Sequence, residues 1–239
     1  MLTALDELML RVVGQLAGRS PFLDAVTLAC TALFAIRLLP LMAVLVYLWF
    51  RTGNSLGSRE AVVETVIGMR AAIEAIIAML AAGIIACTLR MLLPFRGRPY
   101  LVAEPDLLQL DSVPASLVTA VIESGTSFPC DHAAIVSALA TSVWLLSRPL
   151  GGLCFGWAVL TTCLPRIYVG YHYASDILCG VLIGVAVALC VRLLLPTLPI
   201  LGFANRLALR RPALFQVALF TLMFQSAMVI DEIRIAFQN

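Results

Sequence analysis

The chain begins with a short segment in which apolar and charged positions follow a helical spacing. Over residues 3–17 the apolar residues recur every three or four positions, and Asp6, Glu7 and Arg11 fall elsewhere. This pattern predicts an amphipathic helix, which carries too many charges to cross a membrane and is suited to lie in the membrane interface. Its apolar positions are Leu5, Leu8, Met9, Val12, Val13 and Leu16.

Residues 22–50 form a long apolar segment that contains two charged residues and is interrupted by Pro40. We interpret the segment as an interfacial or re-entrant piece over 22–36, followed by a first membrane span over about 36–50. A single kinked span over 25–50 is the alternative interpretation, because proline bends or breaks a helix.

Five further apolar segments have the length expected of membrane helices or of short spans. The sequence therefore predicts an all-α, integral-membrane helical bundle with about six transmembrane helices, at roughly 20 residues per crossing. The simplest organisation is one domain over 1–239, with interfacial or re-entrant helices over 1–35 and the transmembrane core over 36–230. The five further predicted spans are 75–93, 131–147, 150–164, 173–195 and 213–230.

The longest segment that does not span the membrane is 94–130. Within it, 113–122 has the pattern of a short interfacial helix, and 105–125 is interpreted as a partial lid over the lipid-side entrance. The loops after the first, third and fifth spans are rich in Arg, whereas most acidic residues lie on the other side. The positive-inside rule therefore places 94–130 and 165–172 on the outer side of the membrane.

Composition narrows the class of protein. Of the 239 residues, 62% are apolar and 13% are charged, whereas about a quarter are charged in a soluble domain. A disordered chain is excluded, and a net charge of +2 excludes a nucleic-acid binder. All 16 basic residues are Arg, and the seven Cys form no C-x-x-C pair, which favours helix contacts over a disulfide framework.

Both His residues of the chain lie at the outer ends of predicted spans, next to charged groups. His132 begins the third span, and His172 enters the fifth with Asp176 four residues later on the same helix face. The Asp176 carboxylate is expected to accept a hydrogen bond from Nδ1 of His172, which leaves Nε2 as a nucleophile or base. Several Arg on the same side are suited to bind an oxyanion such as phosphate. They are Arg90, Arg96, Arg98 and Arg166.

A nucleophile, an acid and an anion clamp together predict a phosphoryl-transfer site. Cys130, His132, His172 and Asp176 are also residue types that ligate zinc. The neighbouring Arg would repel a cation, so neither a metal ion nor another cofactor is predicted.

Three short segments carrying these residues occur in a fixed order along the chain. They are Arg98-Pro99, Phe128-Pro129-Cys130-Asp131-His132 and Arg166-x5-His172-x3-Asp176. Together they resemble the three-part signature of type 2 phosphatidic acid phosphatases, the PAP2 superfamily, whose pattern is K-x6-R-P, P-S-G-H and S-R-x5-H-x3-D. The resemblance covers roughly residues 75–195, and its third part is the most specific.

The resemblance implies a role for each matching residue. His172 is expected to attack phosphorus and form a phosphohistidine, Asp176 to orient it, and His132 to protonate the leaving oxygen and then activate water. Arg98 and Arg166 are expected to bind the phosphate oxygens. The remaining candidates for substrate binding are Arg90, Arg96, Cys130, Asp131 and Gly170.

The chain departs from the family pattern in all three parts, and in the third part Pro165 stands in place of Ser before Arg166. Met91 occupies the position of the family's lysine, and Arg90 is favoured over Arg96 as the basic residue that replaces it. Cys130 stands in place of Ser, and a thiol is a weaker hydrogen-bond donor than a hydroxyl. Asp131 stands in place of Gly, at a possible N-terminal cap of the helix.

The expected function is that of a bacterial-type membrane lipid phosphatase at the outer face of the plasma (inner) membrane. A polyprenyl diphosphate is the first expected substrate, followed by phosphatidic acid and similar lipid phosphates. The expected partners are this lipid and the bilayer. The sequence does not indicate an oligomeric state. Two alternatives stay open: a phosphotransferase that passes phosphate to another lipid or sugar, and an inactive lipid-binding membrane protein of the same fold.

Overall fold

Helices account for all regular structure in the part of the chain that the computed structural model describes. This confirms the predicted all-α class. The described residues are 4–51, 59–102, 126–195, 217–218 and 221–222.

The first helix, α1 (Ala4–Gly14), confirms the predicted amphipathic helix, and Asp6 lies on the face that it turns to the protein. Asp6 and Leu10 are buried against the rest of the chain, whereas Leu8 and Val12 of the predicted apolar face are 58% and 52% exposed. An apolar face directed away from the protein is the face that an interfacial helix presents to lipid.

Helices α2 (Pro21–Ala32) and α3 (Phe34–Arg51) meet at a bend of 63°. The hydroxyl of Ser20 caps the start of α2. The break lies at Leu33, a few residues before the predicted boundary, and Pro40 lies inside α3 rather than interrupting it. The bend thus separates the predicted interfacial or re-entrant piece from the segment predicted to be the first span.

Six more helices follow among the described residues. Between α7 and α8 a five-residue π-helical segment, Val159–Cys163, continues the helix, so that these three pieces form one 21-residue stretch. Single π turns inside helices are frequent near functional sites. The helices are α4 (Arg59–Leu92), α5 (Pro99–Val102), α6 (Asp131–Leu146), α7 (Arg148–Ala158), α8 (Leu164–Tyr168) and α9 (Ala174–Leu194).

Three of these stretches are long and apolar enough to cross a membrane: Arg70–Leu92, Arg148–Tyr168 and Ala174–Leu194. The bent pair of α2 and α3 adds a fourth if it is a single span. Helix α6 is apolar, but its 16 residues are fewer than a full crossing needs. The described residues therefore contain three or four membrane-capable helices, against the six predicted for the whole chain.

Several predicted elements lie outside the described residues. They are the interfacial helix over 113–122, the lid over 105–125 and nearly all of the span over 213–230.

Helix α6 is the centre of the fold. Its residues 131–143 are all buried, and α4, α7 and α9 pack around it. On α4, Glu74 pairs with Arg70 at 2.6 Å, as the four-residue spacing predicts, and with Arg192 of α9 at 2.9 Å. The second ion pair joins α4 to α9, in addition to the apolar contacts of the core.

Two glycines of α9 set its close approach to α6. A Cβ atom at Gly180 would lie 2.2 Å from the carbonyl oxygen of Cys130, and one at Gly184 would lie 2.2 Å from that of Ala134. No larger residue fits at these distances, so Gly180 and Gly184, a G-x-x-x-G pair, allow the close packing of the two helices. The close contact brings the start of α6, with His132, next to the start of α9, where His172 lies.

Candidate active site

The three signature segments meet at one end of the α6–α9 pair, held together by backbone hydrogen bonds. Ser127 N donates to Arg96 O at 2.9 Å, and Cys130 N donates to Asp176 O at 3.2 Å. Tyr100 N donates to Gly170 O at 3.0 Å. The segments bring together seven candidate residues that are each at most 2% exposed: Arg98, Cys130, Asp131, His132, Arg166, His172 and Asp176.

A tight turn at Gly170 positions His172 in this site. Gly170 has a φ of 73°, a left-handed conformation that glycine adopts without strain. The chain then folds back, and Arg166 O accepts from Tyr171 N at 2.9 Å and from His172 N at 3.3 Å. Gly170 was a candidate for substrate binding, and the structure shows that it makes the turn that positions His172.

The ring of His172 has one nitrogen in a hydrogen bond and one that makes none with the described residues. Nδ1 lies 2.7 Å from the carbonyl oxygen of Ser127 and 3.7 Å from Oδ2 of Asp176. Because a carbonyl oxygen only accepts, Nδ1 carries the proton in the neutral ring and Nε2 carries the lone pair. Nε2 is buried and has no hydrogen-bond partner among the described residues. The tautomer expected from the sequence is thus present, but its direct acceptor is Ser127 O rather than Asp176.

Asp176 is held from two other sides. Oδ2 accepts from Tyr173 N at 2.9 Å, which caps the start of α9, and Oδ1 accepts from Nη1 of Arg96 at 2.5 Å. Its carboxylate remains within ion-pair distance of the His172 ring. Asp176 therefore stabilises both the helix start and any positive charge that develops on His172.

Asp131 orients the second histidine. Its Oδ1 lies 2.8 Å from Nδ1 of His132 and 2.8 Å from Nη2 of Arg90. With Nδ1 engaged by the carboxylate, a proton transfer by His132 has to use Nε2. Asp131, a sequence candidate for substrate binding, thus contacts the predicted acid and a predicted arginine of the anion clamp.

Cys130 lies at the buried start of α6, and its side chain makes no capping hydrogen bond. Its sulfur, a carboxylate oxygen of Asp131 and a ring nitrogen of His172 lie within 4.8 Å of one another. Burial raises the pKa of the Cys130 thiol, but the nearby His172 and Arg166 lower it more, so that the net pKa is below the ordinary value. The arginines around these three groups favour an anion over a metal cation.

The same contacts shift the pKa of His172 in the opposite direction, upward. Burial lowers the pKa of the imidazole, whereas the contacts with Cys130 and with the carboxylate of Asp176 raise it, so that the net pKa is above the ordinary value. Arg166 opposes this shift. His172 thus lies where a positively charged ring is stabilised and where guanidinium groups are close by.

The comparison with protein families matches this region of the chain. A family model described as the PAP2 superfamily matches residues 71–199. The chain belongs to the PAP2 superfamily. All three signature segments lie within the matched region, and α1, α2 and α3 precede it. Membership of the PAP2 superfamily supports a phosphatase-type activity, and the apolar helices make the chain a membrane protein. No curated protein and no solved structure matches the chain.

In this PAP2 protein the two arginines considered for the lysine position lie in different surroundings. Arg90 contacts Asp131 and the carbonyl oxygen of Pro129, on the side of His132. Arg96 contacts Asp176 and Ser175, on the side of His172. Arg90 thus lies next to the second signature segment, whereas Arg96 supports the third.

Sequence reasoning missed two polar contributors to the site. Asp6 of α1 is fully buried and contacts Arg96 and Ser175. Ser127 is fully buried, and its carbonyl oxygen is the acceptor for His172. The only sequence signal for Asp6 is a weak one, an acidic residue in a helix predicted to be interfacial. A backbone carbonyl such as that of Ser127 leaves no signal in a sequence.

Proposed function

We propose that this PAP2 protein is a membrane lipid phosphatase that removes phosphate from a lipid phosphate or diphosphate through a phosphohistidine at His172. The observation that carries the proposal is the buried Nε2 atom of His172, which has no hydrogen-bond partner among the described residues. An unbonded polar atom in a dry site costs free energy, and this cost is offset when the atom bonds to a substrate. The tautomer held by Ser127 O places the nucleophilic lone pair on that atom.

The proposed reaction has two displacements. Nε2 of His172 forms a bond to phosphorus while the bond from phosphorus to the lipid-side oxygen breaks, and His132 donates a proton to that oxygen. Water then attacks the phosphorus of the phosphohistidine while His132 takes up a proton from the water, the bond from phosphorus to Nε2 of His172 breaks, and inorganic phosphate leaves. The contact between Asp131 and Nδ1 of His132 supports this acid–base role, because it directs the transferable proton to Nε2.

The proposed anion clamp consists of arginines. Arg98 and Arg166 are fully or almost fully buried, and guanidinium groups bind phosphate oxygens through paired hydrogen bonds. Arg90, held beside His132 by Asp131, is the proposed replacement for the family's lysine. The clamp supplies the positive charge that offsets the charge of the transferred phosphoryl group, so the proposed chemistry requires no metal ion.

The proposed setting is the outer face of a bacterial plasma (inner) membrane, with the lipid tail of the substrate in the bilayer. The arginine-rich loops of the sequence and the outward apolar face of α1 support this placement. A polyprenyl diphosphate is the first proposed substrate and phosphatidic acid the next.

The test is a phosphate-release screen on purified protein over a panel of lipid phosphates, with and without EDTA. We expect release from at least one lipid, survival of the activity in EDTA, and its loss in His172→Ala but not in the control Cys190→Ser, whose side chain is exposed. If wild type and His172→Ala release phosphate equally, the proposed mechanism is wrong. If phosphate is transferred only when an acceptor lipid is added, the protein is a phosphotransferase instead.

A further inference from the structure

The N-terminal helix α1 brings a fully buried carboxylate into the active-site region, from outside the part of the chain that matches the family. Asp6 Oδ1 accepts from Ser175 N at 2.9 Å, and Oδ2 accepts from Ser175 Oγ at 2.9 Å. Oδ2 also pairs with Nη2 of Arg96 at 2.8 Å. Asp6 thus joins α1 to the first turn of α9.

Arg96 continues this chain of contacts to the candidate nucleophile. Its Nη1 donates to Oδ1 of Asp176, and its guanidinium lies 4.3 Å from the centre of the Tyr173 ring. Asp176 in turn lies 3.7 Å from Nδ1 of His172. One guanidinium is therefore shared between a carboxylate of α1 and the carboxylate next to His172.

We infer that Asp6 is a positioning residue for the proposed reaction, and that docking of α1 through Asp6 and Arg96 holds Asp176 and His172 in their catalytic arrangement. The inference rests on the proposed function of His172. It also changes the role of Arg96, which the sequence assigned to substrate binding. In this arrangement Arg96 binds two carboxylates and supports the nucleophile.

The contacts of Asp6 distinguish this role from ordinary helix packing. The apolar residues Met9 and Val13 of α1 already pack against the core, and they make no contact that depends on charge. Asp6 instead offsets part of the Arg96 charge, and without it the whole guanidinium charge would act on Asp176. Substitution of Asp6 should therefore change the chemistry at His172 in a way that a packing defect would not.

The sign of this effect can be worked out. The other groups that act on His172 are Cys130, Arg166 and Asp176. Removing the negative charge of Asp6 makes a protonated His172 less favourable, so the acid limb of kcat/KM should move to lower pH in Asp6→Asn. Removing the positive charge of Arg96 should move the limb to higher pH in Arg96→Gln.

The experiment compares kcat, KM and the pH profile of the purified full chain on the best lipid of the panel. For Asp6→Asn we expect kcat to fall about tenfold or more, because small misplacement of a catalytic group is costly, with KM within about twofold of wild type. Asp6→Glu should recover part of the activity. The matched control is Glu7→Gln, which removes the neighbouring but exposed acid of α1 and should leave kcat unchanged.

Two outcomes would overturn the inference: an unchanged kcat in Asp6→Asn, or limbs that shift in the same direction in both variants. A second experiment tests the coupling between Asp6 and Arg96 without measuring enzymatic activity. It is a double-mutant cycle in which the midpoint of thermal unfolding in detergent is measured for Asp6→Asn, Arg96→Gln and the double variant. The effects of the two substitutions should be non-additive if the residues are coupled, and additive effects would refute the coupling. A wild type inactive on every lipid, with a non-additive cycle, would reject the proposed function and with it the catalytic role of Asp6, leaving only the docking contact. An active wild type with an additive cycle would reject the inference alone.

Discussion

Replacement of Gly180 by alanine tests whether the close contact between α6 and α9 sets the active site. The added Cβ would lie 2.2 Å from the carbonyl oxygen of Cys130 and 3.0 Å from Cβ of Ala133. Real Cβ atoms essentially never approach another atom closer than 3.0 Å, so the two helix backbones have to separate by about 0.8 Å at this level. The hydrogen bond from Cys130 N to Asp176 O, at 3.2 Å, lies at the same junction and would be stretched.

The expected cost follows from that displacement. Overpacking of a well-packed core costs about 1–3 kcal/mol, and a displacement of about 1 Å in a catalytic group costs roughly a hundredfold in rate. We therefore expect Gly180→Ala to lower both the midpoint of thermal unfolding and the rate of phosphate release, with the larger relative loss in the rate.

The matched control is Gly156→Ala in α7, where an added Cβ meets no atom within 4 Å. Because alanine is the better helix former by about 1 kcal/mol, this variant should be as stable as wild type or more so, with unchanged activity. The assays are thermal unfolding in detergent and phosphate release from the best substrate. Wild-type activity and stability in Gly180→Ala would refute the argument that this contact positions the two histidines.

Three further predictions concern the site itself. First, His172 acts unprotonated and its pKa is raised, so kcat/KM should rise with pH through a value above the ordinary imidazole pKa. Cys130 contributes to that raised pKa, so Cys130→Ser should move the rise to lower pH, and an unmoved profile would contradict the coupling. Second, Asp131→Asn should slow turnover by roughly ten- to a hundredfold through loss of His132 orientation, measured as kcat at saturating lipid, and an unchanged kcat would remove Asp131 from the mechanism. Third, Arg166→Lys keeps the positive charge but loses the paired hydrogen bonds of the guanidinium, so kcat/KM should fall at least tenfold. Inhibition by vanadate, a phosphate mimic, should weaken in parallel. Vanadate inhibition equal to that of wild type would contradict the proposed anion site.

The sequence predicts the helices well where a long apolar segment is bounded by polar residues. The apolar segments at 131–147 and 173–195 correspond closely to α6 and α9. The signature residues indicated which side chains would meet, because their order and spacing are specific. Among the described residues three or four helices are membrane-capable, because α6 is too short for a full crossing, and the predicted span over 213–230 lies almost entirely outside these residues.

The remaining features depend on contacts between distant parts of the chain. Asp6 meets Ser175 across most of the sequence, and no local periodicity can indicate that pairing. The acceptor for His172 is a backbone carbonyl, at Ser127, which every residue type possesses.

The most direct test of the account is to identify the covalent intermediate. Purified protein would be mixed with a lipid carrying a radiolabelled terminal phosphate, quenched rapidly in alkali, which preserves phosphohistidine, and mapped by peptide sequencing. The account predicts label that is stable in alkali, lost in acid, attached at His172 and absent from His172→Ala. Rapid phosphate release with no label at His172 at any quench time, or label attached to Cys130 instead, would contradict it.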